Sequence, residues 1–172
     1  MFSRYWVLAC LLILAMTPTP TFVSMERGVP VPPWYRDAVF VVTELGSWPS
    51  ADTSLIGEVA NSVARWSWEM ELDPSLTLAV MRVENPWLKP DTVSYAGAVG
   101  LMQVMPRFWA ESFPECGETL VDIDTNVCKG TKILRHYIDR ADGDLRMGLL
   151  AYNGCHSKIC EKYSNNVQGY ID

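Results

Sequence analysis

Histidine is scarce in this chain: His136 and His156 are the only two in 172 residues. No two cysteines have the C-x-x-C spacing. A metal site therefore lacks its usual ligands. Basic residues are outnumbered, 14 Lys and Arg against 20 Asp and Glu, for a net charge of −6. Without clustered Lys and Arg there is no footprint for a phosphate backbone, which excludes nucleic acid as a partner. The acidity suits solubility. No internal repeat is present, and no low-complexity tract beyond a few prolines.

Apolar residues make up 49% of the chain, enough for a core, and the length suits one compact domain with short extras. At the N-terminus, Arg4 precedes a continuous apolar run from Tyr5 to Met16. Roughly a dozen residues match a signal-peptide h-region and fall short of a spanning helix, which needs about 20. Extending the run to Val23 reaches that length but takes in Thr17, Pro18, Thr19, Pro20 and Thr21. Ala15-Met16-Thr17 is an imperfect cleavage site. Residues 1–24 thus read as an export signal, either cleaved or retained as a membrane anchor through residues 5–23. The run has no polar face, which argues against a buried amphipathic helix. Cys10 lies mid-run behind the bulky Leu8, which argues against a lipoprotein signal.

Four cysteines remain: Cys116, Cys128, Cys155 and Cys160. An even number in an exported chain points to disulfides. Three pairings are open. The local one, Cys116–Cys128 with Cys155–Cys160, closes two short loops and is the most natural. Free thiols would require a reducing compartment, and a metal site would have to draw on His156.

Residues 25–52 read as a linker and accessory segment. Pro30, Pro32 and Pro33 favour extended backbone. Tyr35 to Leu45, ended by Gly46, fits a helix or a strand. The main domain spans residues 53–172. Leu55, Ile56, Val59, Ala60 and Val63 recur at helical spacing, predicting a helix to about Met70 with Ser54 as cap. Asp73-Pro74 opens a second helix, apolar nearly all round, that must end by Asn85 because Pro86 follows. Lys89 to Gly100 reads as loop or hairpin. Pro106 predicts a helix to about Phe113, Asp124 a helix to Arg140, and Asp142 or Asp144 a last core helix through Tyr152, stopped by Asn153-Gly154. The expected class is mainly α, with a small β or loop lobe after Glu84.

Glu84 is the first candidate for chemistry. It ends the apolar run Leu78-Ala79-Val80-Met81, broken only by Arg82 before Val83. There a carboxylate meets the negative end of the helix dipole and poor solvation. Both raise its pKa toward the range a general acid needs. An exposed Glu, or one paired with Arg82, is the plain alternative.

The wider pattern adds to this. Glu84 is followed by Ser94-Tyr95-Ala96-Gly97-Ala98-Val99-Gly100-Leu101-Met102-Gln103-Val104-Met105-Pro106, then Asp124-x-Asn126, then Ala151-Tyr152-Asn153-Gly154. From Leu72 to Tyr170 this order resembles the lytic transglycosylases of the Slt type, relatives of goose-type lysozyme. The resemblance implies a lysozyme-like domain, its small lobe flanking a glycan-binding groove. It makes Glu84 the catalytic acid and Ser94 the hydroxyl that contacts the sugar near the cut. Gln103 and Met105 would line the site, with Asn153 also binding substrate. Tyr152 would face Glu84 with its hydroxyl. The plain alternatives are a turn cap for Ser94, core packing for Met102 and Met105, backbone satisfaction for Gln103 and a core ring for Tyr152. Asn126 reads as a structural clamp, and Trp87 as a core ring, with stacking on a sugar as the alternative. Three departures stand out: Asn85 replaces the family's serine, the Tyr-Asn-x-Gly spacing is lost, and the acidic residue of the C-terminal segment is missing from Asn166–Ile171.

The resemblance implies cleavage between N-acetylmuramic acid and N-acetylglucosamine, leaving a 1,6-anhydromuramic end. One carboxylate would suffice, without metal or organic cofactor. Hydrolysis of the same bond by the same Glu, and a non-catalytic wall-binding role, are the alternatives. The partner would be peptidoglycan strands, reached in the periplasm or cell envelope, from a membrane anchor or from a phage virion. A secretion, conjugation or phage-assembly setting stays open.

Overall fold

Val and Phe are strand-prone in isolation, yet Tyr35–Gly46 forms a helix, α1. Burial decides the matter: Val41 and Leu45, four residues apart, are both fully buried. In the computed structural model, residues 31–49, 51–154 and 160–171 are described. The apolar run of residues 5–23 therefore lies outside them. Among the described residues no helix is long and apolar enough to cross a membrane. Pro32–Asp172 forms one compact unit, and Val41, Leu45 and Trp48 belong to its core cluster.

Helix α2, Ile56–Glu69, buries Val59, Ala60, Val63, Ala64, Trp66 and Ser67. Its expected cap is displaced. Asp52 accepts hydrogen bonds from the Ser54 backbone and hydroxyl, and Leu55 occupies the cap position with no side-chain bond. Helix α3, Pro74–Glu84, starts as predicted, with the Asp73 carboxylate accepting from Ser75 N at 2.8 Å. Six consecutive residues, Leu76 to Met81, are buried. The buried Ser67 and Thr77 hydroxyls share a 2.8 Å hydrogen bond between α2 and α3. Asn85 ends α3 in non-helical backbone, one residue before Pro86.

Residues 86–105 form the lobe. Among the described residues it contains no strand, only isolated bridges pairing Val93 with Val99 and Val99 with Val104. The predicted helix from Pro106 to Phe113 is only one turn, α4, Pro106–Trp109. The reason lies in Lys129, which is fully buried and donates to the Ala110 and Ser112 carbonyls at 2.9 and 2.5 Å. Those carbonyls turn to the ammonium rather than continue a helical ladder, and Phe113 adopts φ 56°.

The long helix α5, Ile123–Arg140, is capped by Asp122, whose carboxylate accepts from Thr125 N. Asp124, the expected cap, instead accepts from Ser62 Oγ at 2.7 Å and Trp66 Nε1 at 2.9 Å, pinning α5 to α2. Helix α6, Leu145–Tyr152, is capped by Asp144, and Gly154 follows it at φ 71°. A further helix, α7, spans Glu161–Gln168 and buries Tyr163, Ser164 and Val167 against α3 and α6. Its sequence is mostly polar, so its one apolar face left little trace in the periodicity. Cys116 and Cys128 are joined by a disulfide with Cα atoms 5.6 Å apart. Cys160 is disulfide-bonded as well, and Cys155, its expected partner, lies outside the described residues together with His156.

Candidate active site

Because α3 ends at Glu84, this side chain emerges where a buried helix meets the loop lobe. Its carboxylate accepts a 2.7 Å hydrogen bond from the Tyr163 hydroxyl. Burial pushes the Glu84 pKa up to about 7, and the Tyr163 bond opposes that rise. No second carboxylate among the described residues contributes to the shift. Nor does Arg82 pair with Glu84: its guanidinium lies over the rings of Trp48 and Tyr170.

The lobe is tied to the end of α3 by Asn85. This fully buried side chain donates to the Lys89 carbonyl at 2.7 Å and the Gly100 carbonyl at 3.2 Å, and accepts from Lys89 N. An amide can do all three, which explains how the lobe keeps its place with asparagine here. Gly100 also accepts from Gln103 Nε2 at 2.8 Å. Asn126 clamps the other side, accepting from Met102 N and donating to the Val99 and Leu120 carbonyls.

Ser94 is partly exposed, and its oxygen accepts from Ala98 N at 3.0 Å, capping the turn. That bond leaves its own proton available. Gln103 is half-buried at φ 49°, its amide committed to lobe carbonyls. Met105 is half-buried at the start of α4, while Met102 is fully buried against Gly130. Asn153 is exposed at the end of α6. The structure shows no hydrogen bond from Ser94, Met105 or Asn153 to Glu84.

The Tyr152 hydroxyl donates to the Met102 carbonyl at 2.7 Å, not to Glu84. Tyr152 remains near enough for the Glu84 charge to add to burial in raising its pKa well above the usual value. The partner of Glu84 is Tyr163, missed because its polar helix matches none of the motif blocks. Its pKa is likewise raised well above the usual value, first by burial and then by the Glu84 charge. Trp87, expected in the core, is 55% exposed. It follows Pro86 in the turn after α3.

Residues 61–170 match the transglycosylase SLT domain. The chain belongs to that family. Across 89 residues this SLT protein is 38% identical to a transglycosylase of Enterobacteria phage PRD1, covering 51% of this chain and 31% of that one. It is 28% identical over 116 residues to the soluble lytic murein transglycosylase of Escherichia coli K12, covering 63% of this chain and 18% of that one. The SLT chain thus spans only a minor part of either relative's length. Its fold matches the crystal structure of the 70-kDa soluble lytic transglycosylase of E. coli with TM-score 0.61 at 20% identity, covering 80% of this chain and 29% of that chain. The mainly helical, lysozyme-like architecture expected from the motif order is the one observed.

Proposed function

We propose that this SLT domain cleaves peptidoglycan glycan strands as a lytic transglycosylase, with Glu84 as its single acid/base catalyst. The observation that carries the reading is the Glu84 carboxyl. It is buried, has a pKa near 7, and is bonded to Tyr163 with no second carboxylate raising its pKa. A glycosidase of the two-carboxylate type uses a second acidic group as nucleophile or base, and among the described residues no carboxylate contributes to the Glu84 shift. The names of the relatives, a phage transglycosylase and a lytic murein transglycosylase, support the same reaction, and the second supports the substrate class.

In this reading the neutral Glu84 donates its proton to the oxygen leaving C1 of N-acetylmuramic acid. The sugar's own 2-acetamido group stabilises the positive charge developing at C1. Glu84, now ionised, accepts the proton of the muramic C6 hydroxyl as that oxygen bonds to C1. The product is a 1,6-anhydromuramic end, and no water is consumed. A carboxyl with pKa near 7 can both give and take a proton under the same conditions. Ser94, Gln103, Met105, Tyr152 and Asn153 supply the substrate-binding wall. The proposed location is the cell envelope, reached by export.

The test is mass spectrometry of purified peptidoglycan after digestion, beside Glu84→Gln. Fragments ending in 1,6-anhydromuramic acid, absent with the variant, are expected. Glu84-dependent fragments heavier by one water would make the enzyme a hydrolase. No fragments from a folded wild type would leave a wall-binding role.

A further inference from the structure

Arg82 and Glu44 carry opposite charges, line the same cavity and do not pair. The cavity, about 280 Å³, lies between α1, α3 and the C-terminal segment; its other walls include Phe40, Trp48, Ser75 and Tyr170. The Arg82 guanidinium lies over two rings, 5.3 Å from the centre of Trp48 and 4.4 Å from that of Tyr170. Ring contacts of this kind neutralise no charge and satisfy no N–H, so the guanidinium keeps its donors. The Arg82 side chain forms no ion pair and no hydrogen bond with any described residue. On α3 the cavity is lined by Ser75, Leu78, Ala79 and Arg82. That three-and-four spacing is one helix face. Glu84 follows Arg82 by two residues, about 200° around the axis, and so leaves from the opposite face.

We propose that this cavity binds a small zwitterion, an amino acid or short peptide with both ends free. Its carboxylate meets Arg82, its ammonium meets Glu44, and its apolar part packs on Phe40 and Ile171. A planar guanidinium pre-oriented by ring contacts is suited to a carboxylate, which accepts two parallel N–H bonds. A volume of about 280 Å³ lies just under the usual range of ligand sites and suits one or two residues of peptide. The proposal does not rest on the glycan reaction, because the site uses neither Glu84 nor the lobe.

The experiment titrates the purified protein with alanylalanine and alanylphenylalanine, following the Arg82 side-chain Nε–H resonance and the heat of binding. Saturable binding is expected for at least one of them. Its C-terminal amide and its N-acetyl form should each bind about tenfold more weakly, as when a charged hydrogen bond is lost. Arg82→Gln and Glu44→Gln, checked for folding by circular dichroism, should show similar losses. Glu84→Gln protein should bind the dipeptide unchanged. Three outcomes would overturn the proposal: no saturable binding of either dipeptide, equal affinity for the blocked forms, or loss of binding in Glu84→Gln. The blocked peptides test the idea on the wild type, so an unfolded variant does not remove the test.

Discussion

At Glu84 two opposed effects act on one carboxyl. Burial favours the neutral acid, and the Tyr163 hydroxyl, a donor, favours the anion. Removing the donor in Tyr163→Phe leaves burial unopposed, so the Glu84 pKa rises. A hydrogen bond to a charged group contributes about 1.5–3 kcal/mol, or about one to two pH units. The alkaline limb of the pH–rate profile should move up by about that much while turnover falls. A profile that keeps its midpoint would show that Tyr163 only packs. Stability responds with a definite sign. The folded pKa of about 7 lies above the usual 4.5, so the native state binds more protons between these values. Stability therefore declines as pH rises through that window, by an amount on the order of 3 kcal/mol. Glu84→Gln should melt like the wild type near pH 4 and above it near pH 8, as calorimetry can measure. That Glu84 is special could be read from its place after an apolar run. Its partner could not, because Tyr163 lies 79 positions away in a polar stretch.

At the scale of elements, the lobe is held by side-chain amides rather than by a sheet. Asn85 and Asn126 grip it from α3 and α5, and Gln103 bonds it from within. Gly100 sits where these meet, at φ 83°, and a Cβ there would fall 2.1 Å from Asn126 Nδ2. Gly100→Ala should therefore strain the backbone and displace the clamp, costing about 2 kcal/mol or more in urea unfolding. Gly97→Ala, whose Cβ would meet nothing within 4 Å despite φ 87°, should cost less. The glycines and Asn126 were visible as motif residues. That they form a clamp without strands was not, since the same spacing would suit a hairpin.

For the whole molecule, one cross-link bears on the site indirectly. The Cys116–Cys128 disulfide fastens the turn after α4 to α5, the helix that also holds Asn126 and Lys129. Closing so short a loop limits the unfolded chain, an effect of about 3 kcal/mol. Cys116→Ala/Cys128→Ala should lose about that much in urea titration. Lys129, buried with its ammonium on two carbonyls, should keep the turn in place once folded. Activity of the folded variant measured below its transition should accordingly stay near wild type.

Local physics was legible in the chain itself. Asp73-Pro74 starts α3, Pro86 stops it, and the apolar run between them demands burial; each depends only on neighbours in sequence. The order of the Glu84, Ser94–Pro106 and Tyr152 blocks also carried the family and hence the fold. Tertiary structure alone decided which of several nearby polar groups did a given job. Asp122 rather than Asp124 caps α5 because Ser62 and Trp66 on α2 claim Asp124. Tyr163 rather than Tyr152 meets Glu84 because the Met102 carbonyl takes the Tyr152 proton and α7 packs against α3. A hydrogen bond is short-ranged and directional, so its partner is settled by packing between distant segments.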